Sequence, residues 1–245
     1  MGVGMRSIPE TILVEGDRCV LALLESPFIL PIEVILEEGR YPGIQAQCEK
    51  RGIPCRTLAR TEATTKGGVD FQRGACAVAQ RPSAREPDVA FLESARRLLI
   101  PIDFSDGGNL GPLIRTAVAF GIDGIVVEAG RGVDIFSPKC LRSSANAIFR
   151  VPVFEVAHLS VTLERIAESG FILLGVSNAA ESLPLPGVSP GRRTAVLFGA
   201  EDKGLPLEVE SQCAQLMRVP VQPEGTLNAA AEGSIVLYEL FGRHG

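Results

Sequence analysis

Histidine is nearly absent from this chain: His158 and His244 are the only two in 245 residues. His244 lies at the extreme C-terminus, and no G-x-S-x-G elbow is present, so nucleophilic catalysis of the Ser-His kind has no visible apparatus. The six cysteines (Cys19, Cys48, Cys55, Cys76, Cys140, Cys213) are scattered without a C-x-x-C pair. Cysteines at such spacings, with so little histidine, do not supply a zinc ligand set, and no metal is expected. Reduced thiols in a cytoplasmic protein are the simpler reading. Long apolar runs are missing as well. The most apolar early stretch, CVLALLESPFILPIEVIL, is interrupted by Glu25, Pro27, Pro31 and Glu33, so a soluble protein with no membrane span is expected. Neither G-x-G-x-x-G after a strand nor G-x-x-x-x-G-K-[ST] occurs, which removes the usual signatures of dinucleotide and nucleoside triphosphate sites.

What the chain does have is an ordinary globular composition, 46% hydrophobic and 22% charged, enough for a core and against disorder. A net charge of −5 speaks at first against nucleic acid, whose binding relies on Lys and Arg neutralising phosphates. The distribution softens this. From Arg40 to Arg85 there are nine basic residues (Arg40, Lys50, Arg51, Arg56, Arg60, Lys66, Arg73, Arg81, Arg85) against three acids (Glu49, Glu62, Asp70), while the preceding 39 residues carry a net −5. Such segregation suits a local phosphate-facing patch, although a solvated face is the commoner cause of a charge cluster.

Hydrophobic periodicity divides the chain at the Pro- and charge-rich segment RPSAREPD (81–88), read as a linker. This predicts a small α/β unit over 1–85 and a larger one over 86–245. In the first, LVEGDRCVLALLES reads as a helix with an apolar stripe at Val14, Val20, Leu21 and Leu24, and IEVILEEG as a strand. YPGIQAQCEKRG reads as a helix closed by Gly52, TEATTKGGVDFQRG as a flexible loop, and GACAVAQ as a strand. In the second, the strands RLLIPID, GIVVE, VPVFEV, FILLGVS, TAVLFG and MRVPV alternate with helices, predicting a mainly parallel sheet covered on both faces. SPKCLRSSANAIF is one of those helices, with Ser137 as cap and Pro138 at its first position. NAAAEGSIVLYELF is the last.

Three junctions between strand-like and helix-like runs stand out: NLGPLIRTAVAFG (109–121), LFGAEDKGLP (197–206) and RVPVQPEGTLNAAAEG (218–233). Ligands of open α/β sheets collect at the carboxyl ends of strands, so the three are expected to converge on one pocket. Each residue in them also has a structural explanation. Asn109 and Asn228 have the chemistry of helix N-caps, and Glu201 and Asp202 could cap the helix that follows them. Gly199 and Gly204 allow either a tight turn or close approach of a ligand. Arg115 resists this most. Placed one turn into an apolar helix, it would sit near the positive end of the dipole, which points to an anionic partner or, equally well, to a salt bridge with another helix.

Taken together, these stretches resemble the three motifs of the SpoU/TrmH-type RNA ribose 2′-O-methyltransferases, a branch of the SPOUT class. N-x-G-x-x-x-R-x-A-x-x-F-G is matched by Asn109, Gly111, Arg115, Ala117, Phe120 and Gly121, and G-x-E-x-x-G by Gly199, Glu201 and Gly204. The third motif, usually S-L-N-V-S-x-A, here reads Thr226-Leu227-Asn228-Ala229-Ala230-Ala231-Glu232. Thr226 keeps the hydroxyl of the usual Ser, whereas Ala230 and Glu232 depart from the pattern. The resemblance covers about residues 97–241, and more weakly 12–80, which resembles the small RNA-binding domain preceding many members.

The resemblance implies a parallel-sheet SPOUT-type α/β fold with a C-terminal trefoil knot, an exception to the rule of unknotted chains. It also implies S-adenosylmethionine as cofactor, a homodimer, and RNA as substrate, ribosomal RNA favoured over transfer RNA. By position, Leu197, Phe198, Gly199, Glu201, Gly204, Val219, Thr226, Leu227 and Asn228 would surround the cofactor. Arg115, Asn109 and Glu201 would serve catalysis, Arg115 as an electrostatic stabiliser of the 2′-oxygen held in place by Asn109. Two alternatives stay open: an RNA-binding protein that keeps the fold without the chemistry, and a small-molecule-binding α/β protein unrelated to RNA.

Overall fold

A computed structural model of the chain describes residues 10–59, 74–200, 203–222 and 227–243. The first unit is a four-stranded mixed sheet built from β1 (Thr11–Glu15), β2 (Pro31–Glu37), β3 (Cys55–Leu58) and β4 (Ala75–Gln80), in the order β1-β4-β2-β3. Helices α1 (Asp17–Glu25) and α2 (Pro42–Arg51) accompany it. The predicted first helix is thus shorter than its apolar stripe suggested. Val14 lies in a strand, and Gly16, at φ 93°, turns the chain into α1. Only glycine takes that angle without strain, so the break is written in one residue. Gly52, also left-handed, closes α2 as expected. The predicted loop over 61–74 lies, except for Gly74, outside the described residues.

The second unit carries a seven-stranded sheet in the order β7-β6-β5-β10-β8-β11-β9, and every pairing in it is parallel. Its strands are β5 (Arg97–Pro101), β6 (Gly124–Glu128), β7 (Val153–Val156), β8 (Ile172–Val176), β9 (Leu183–Pro184), β10 (Thr194–Phe198) and β11 (Gln215–Arg218). Along β10 the alternation sorts the side chains: Ala195 and Leu197 join one apolar cluster, Val196 and Phe198 the other. The first cluster is completed by α3 (Val89–Ser94), α6 (Leu159–Glu168) and α7 (Leu207–Glu210). The second is completed by α4 (Gly107–Ala119), α5 (Pro138–Ser143) and α8 (Ala229–Leu237), and runs on into the small unit through Val14, Leu23 and Leu24. Burial on both faces is why these strands read as continuous apolar runs.

Helix α5 is shorter than the sequence suggests. Ser137 caps it, its side chain accepting from the Cys140 amide, but Ala145 and Asn146 adopt left-handed angles, and residues 147–150 continue as a separate 3₁₀ turn. The supposed linker is not loose either. Arg81 is buried, and its guanidinium donates to both carboxylate oxygens of Glu155 (2.7 and 3.0 Å) and of Asp134 (2.8 and 3.0 Å) while lying over the Phe136 ring. Ser26 in the small unit donates to the Phe149 carbonyl at 2.8 Å, and Arg142 pairs with Glu15. Planar, bidentate pairing of this kind fixes the orientation of one unit on the other.

Candidate functional site

Strands β10, β8 and β11 are neighbours in the sheet, and their carboxyl ends open onto a cavity of about 560 Å³. That size suits a ligand of several ring systems. Its apolar wall includes Phe198, Leu205, Val219 and Leu227. The turn after β10 forms another side: Gly204 (φ 64°) donates its amide to the Ala200 carbonyl at 2.8 Å, doubling the chain back on Gly199. A Cβ on Gly199 would come within 2.1 Å of the Gly204 carbonyl carbon, so no other residue fits there without opening the turn. This gives the glycines of the second motif their physical reason.

The first and third motifs meet beside the cavity. Asn228 is the N-cap of α8, its Oδ1 accepting from the Ala230 amide at 2.9 Å. Its Nδ2 donates to Asn109 Oδ1 at 3.0 Å, so one amide both caps a helix and ties it to α4. Further along, Thr116 and Ser234 hydroxyls lie 3.3 Å apart, and Gly233 leaves room for Leu113, whose Cδ1 would be 2.3 Å from a Cβ placed there. Asn109 itself is no cap. Helix α4 begins at Gly107, and Asp106 caps it by accepting from the Gly108 amide at 2.9 Å. Two consequences correct the sequence reading. Arg115 lies more than two turns into α4, where the dipole has little hold on it, and Asn109 bonds to Asn228 rather than holding Arg115. Arg115 is exposed, and among the described residues no hydrogen bond or ion pair engages it.

Of the residues expected around a cofactor, Phe198, Gly199, Gly204, Val219 and Leu227 line the cavity, and Asn228 stands between two that do, Leu227 and Ala229. Leu197 is fully buried on the opposite face of β10. Arg115 and Asn109 do not line the cavity, and Glu201 and Thr226 lie outside the described residues. Sequence reasoning missed the polar side of the pocket. Ser177 and Asn178, directly after β8, line it, and Ser177 donates to Glu210 at 2.5 Å. The signal was available, because FILLGVS ends where a parallel strand at the switch of the sheet should meet its ligand. Glu232, the departure in the third motif, also faces this cavity, and burial raises its carboxyl above the usual range.

A smaller cavity, about 160 Å³, lies at the ends of β5 and β6. Its cations are already neutralised: Arg131 pairs with Asp103 (2.7 Å) and Glu128 (2.8 Å), and Arg81 as described. Enclosure alone does not make it the site, since only the larger cavity gathers residues of the second and third motifs. The basic run from Arg40 to Arg85 is likewise partly spent on the protein. Arg40 pairs with Glu37, Arg56 with Glu33, and Arg81 is buried, while Arg60, Lys66 and Arg73 lie outside the described residues.

A parallel α/β domain with a cavity at the carboxyl ends of its strands, preceded by a small mixed sheet, defines the class of protein by its fold. Residues 97–238 match the SpoU rRNA Methylase family, and the chain belongs to that family. It is 27% identical over 238 residues to the 23S rRNA (guanosine(2553)-2′-O)-methyltransferase RlmP of Bacillus subtilis, covering 97% of this chain and 91% of that protein. An uncharacterised tRNA/rRNA methyltransferase of Synechocystis is 35% identical over 160 residues, but the chain spans only 41% of its length. Among solved structures, the SpoU methyltransferase AviRb of Streptomyces viridochromogenes, in complex with AdoMet, superposes with a TM-score of 0.78 at 22% identity, covering 96% of this chain and 91% of that one.

Proposed function

We propose that this chain transfers a methyl group from S-adenosylmethionine to a ribose 2′-hydroxyl of RNA, ribosomal RNA favoured over transfer RNA. The observation that carries the reading is the Asn228–Asn109 hydrogen bond, which brings the first and third motifs together beside the cavity edged by the second. The donor set fits the cofactor. Apolar Phe198, Leu205 and Leu227 suit a nucleobase, and the hydroxyl, amide and carboxylate of Ser177, Asn178 and Glu210 suit a ribose and an amino-acid tail. When bound, S-adenosylmethionine supplies an electrophilic methyl on a sulfonium.

The protein's own task is to hold a poor nucleophile in line and to stabilise the charge that grows on its oxygen. Arg115 is the group assigned to that charge. A guanidinium with a pKa above about 12 hardly serves as a base, but its fork donates well to an alkoxide or a phosphate. Being exposed, without a described partner and outside its own chain's cavity, Arg115 suits a site completed by a second copy. Exposed Leu207, Val221 and Leu227 on the cavity rim, with Ile235 on α8 and Tyr238 just after it, are apolar surface that a homodimer would cover. The family's trefoil knot belongs to the same reading: the chain doubles back after β10, adds β11 beyond β8, and returns to pack α8 on α4.

Ribosomal RNA is favoured because the RlmP match runs through the small unit as well as the large one. Mapping ribose methylation in cells lacking the protein tests this. A single 2′-O-methyl site missing from ribosomal RNA is expected, and loss confined to transfer RNA would reassign the substrate. A non-catalytic RNA-binding protein would leave every methyl site in place.

A further inference from the structure

Glu232 is only partly accounted for by its place in the fold. It sits in the first turn of α8, where an acid is favoured by the helix dipole, but a fully solvated acid would serve that purpose as well. Instead Glu232 lines the cavity half-buried, and among the described residues no hydrogen bond or ion pair engages its carboxylate. The other described charges lining the cavity are Glu210, already accepting from Ser177, and Lys203, which is exposed. Leaving a carboxylate partly desolvated and unpaired costs stability, and burial indeed raises its pKa. Such a group is stabilised in its charged form when a cation comes to it.

We propose that Glu232 makes this cavity prefer a cationic sulfonium donor over the neutral thioether left after transfer. The proposal rests on reading the cavity as a methyl-donor site. On transfer the S–CH₃ bond breaks, the O–CH₃ bond forms at the ribose, the 2′-hydroxyl proton passes to water, and the positive charge leaves the cavity. A carboxylate inside a walled pocket acts through space, so no direct contact is required. At an effective dielectric near 20, a carboxylate within about 12 Å of the sulfonium suffices for roughly tenfold discrimination. Retention of the fresh donor and release of the spent one would both follow.

Titration calorimetry on the full-length protein tests this with S-adenosylmethionine and S-adenosylhomocysteine. Wild type is expected to favour the sulfonium, and Glu232→Gln to lower the ratio of the two affinities about tenfold, mainly by weakening S-adenosylmethionine. Glu232→Asp should retain part of the preference. Sinefungin, which carries an ammonium in place of the sulfonium, gives a check on the unmutated chain: it should bind more tightly than S-adenosylhomocysteine. An unchanged affinity ratio in Glu232→Gln, with wild type binding S-adenosylmethionine, overturns the role of Glu232 and leaves the methyl-donor reading intact. Absence of binding to either compound by wild type overturns both.

Discussion

At the scale of single residues, the two side chains that matter most are those whose surroundings do not account for them. Arg115 stands on α4 with no described partner. If its planar fork stabilises the 2′-oxygen, Arg115→Lys lowers turnover by about two orders of magnitude or more with little change in S-adenosylmethionine affinity, because lysine keeps the charge and loses the geometry. Single-turnover kinetics measures this, and near-normal turnover would remove Arg115 from the chemistry. Glu232 carries a prediction about stability. Burial raises its carboxyl, so ionisation penalises the folded state at neutral pH. The penalty fades as pH falls through the raised value and is gone below the unfolded-state value of about 4.3. Glu232→Gln should therefore melt above wild type near neutrality and together with it in the acid range. A variant that gains stability while losing cofactor discrimination separates function from packing.

At the scale of elements, the turn from Gly199 to Leu205 is the most constrained wall of the site. Gly199→Ala drives a Cβ against the Gly204 backbone, which cannot yield as a side-chain tip could. We expect at least tenfold weaker S-adenosylmethionine binding with a near-native circular dichroism spectrum, and unaltered binding would show that this turn is not a cofactor wall. The same scale shows how far the sequence could be read. Five of the six apolar runs of the large unit each contain a strand, because burial on both sheet faces keeps the pattern continuous, while MRVPV holds only the end of β11, which begins at Gln215. Reading failed where one residue overrode a pattern. Gly16 divides β1 from α1 inside a stripe of helical spacing, and Ala145 and Asn146 end α5 early. Strand β3, with two of its four residues exposed, offered no apolar run to read. Asn109 reads as a cap because the true cap, Asp106, precedes two glycines that look like loop. The meeting of Asn109 with Asn228, 119 positions apart, is a tertiary fact that composition and spacing could not contain.

At the scale of the whole molecule, the small sheet is held on the methylase domain by a few polar contacts of high consequence. Arg81 and Glu155 have side chains only 7% and 8% exposed. Removing one partner strands the other in a poorly solvated site. Arg81→Leu should cost about 3–5 kcal/mol in chemical denaturation, and adding Glu155→Leu should restore part of it. A loss below about 1 kcal/mol would mean that the units are held mainly by their shared apolar cluster. The central claim, that this molecule methylates RNA ribose, is tested most directly by incubating the purified protein with S-adenosylmethionine and unmodified ribosomal RNA, then analysing nuclease digests by mass spectrometry. One 2′-O-methylated nucleoside, absent when Arg115→Ala replaces wild type, is the predicted result. A methyl group found on a base, or none on RNA despite measured S-adenosylmethionine binding, would contradict it.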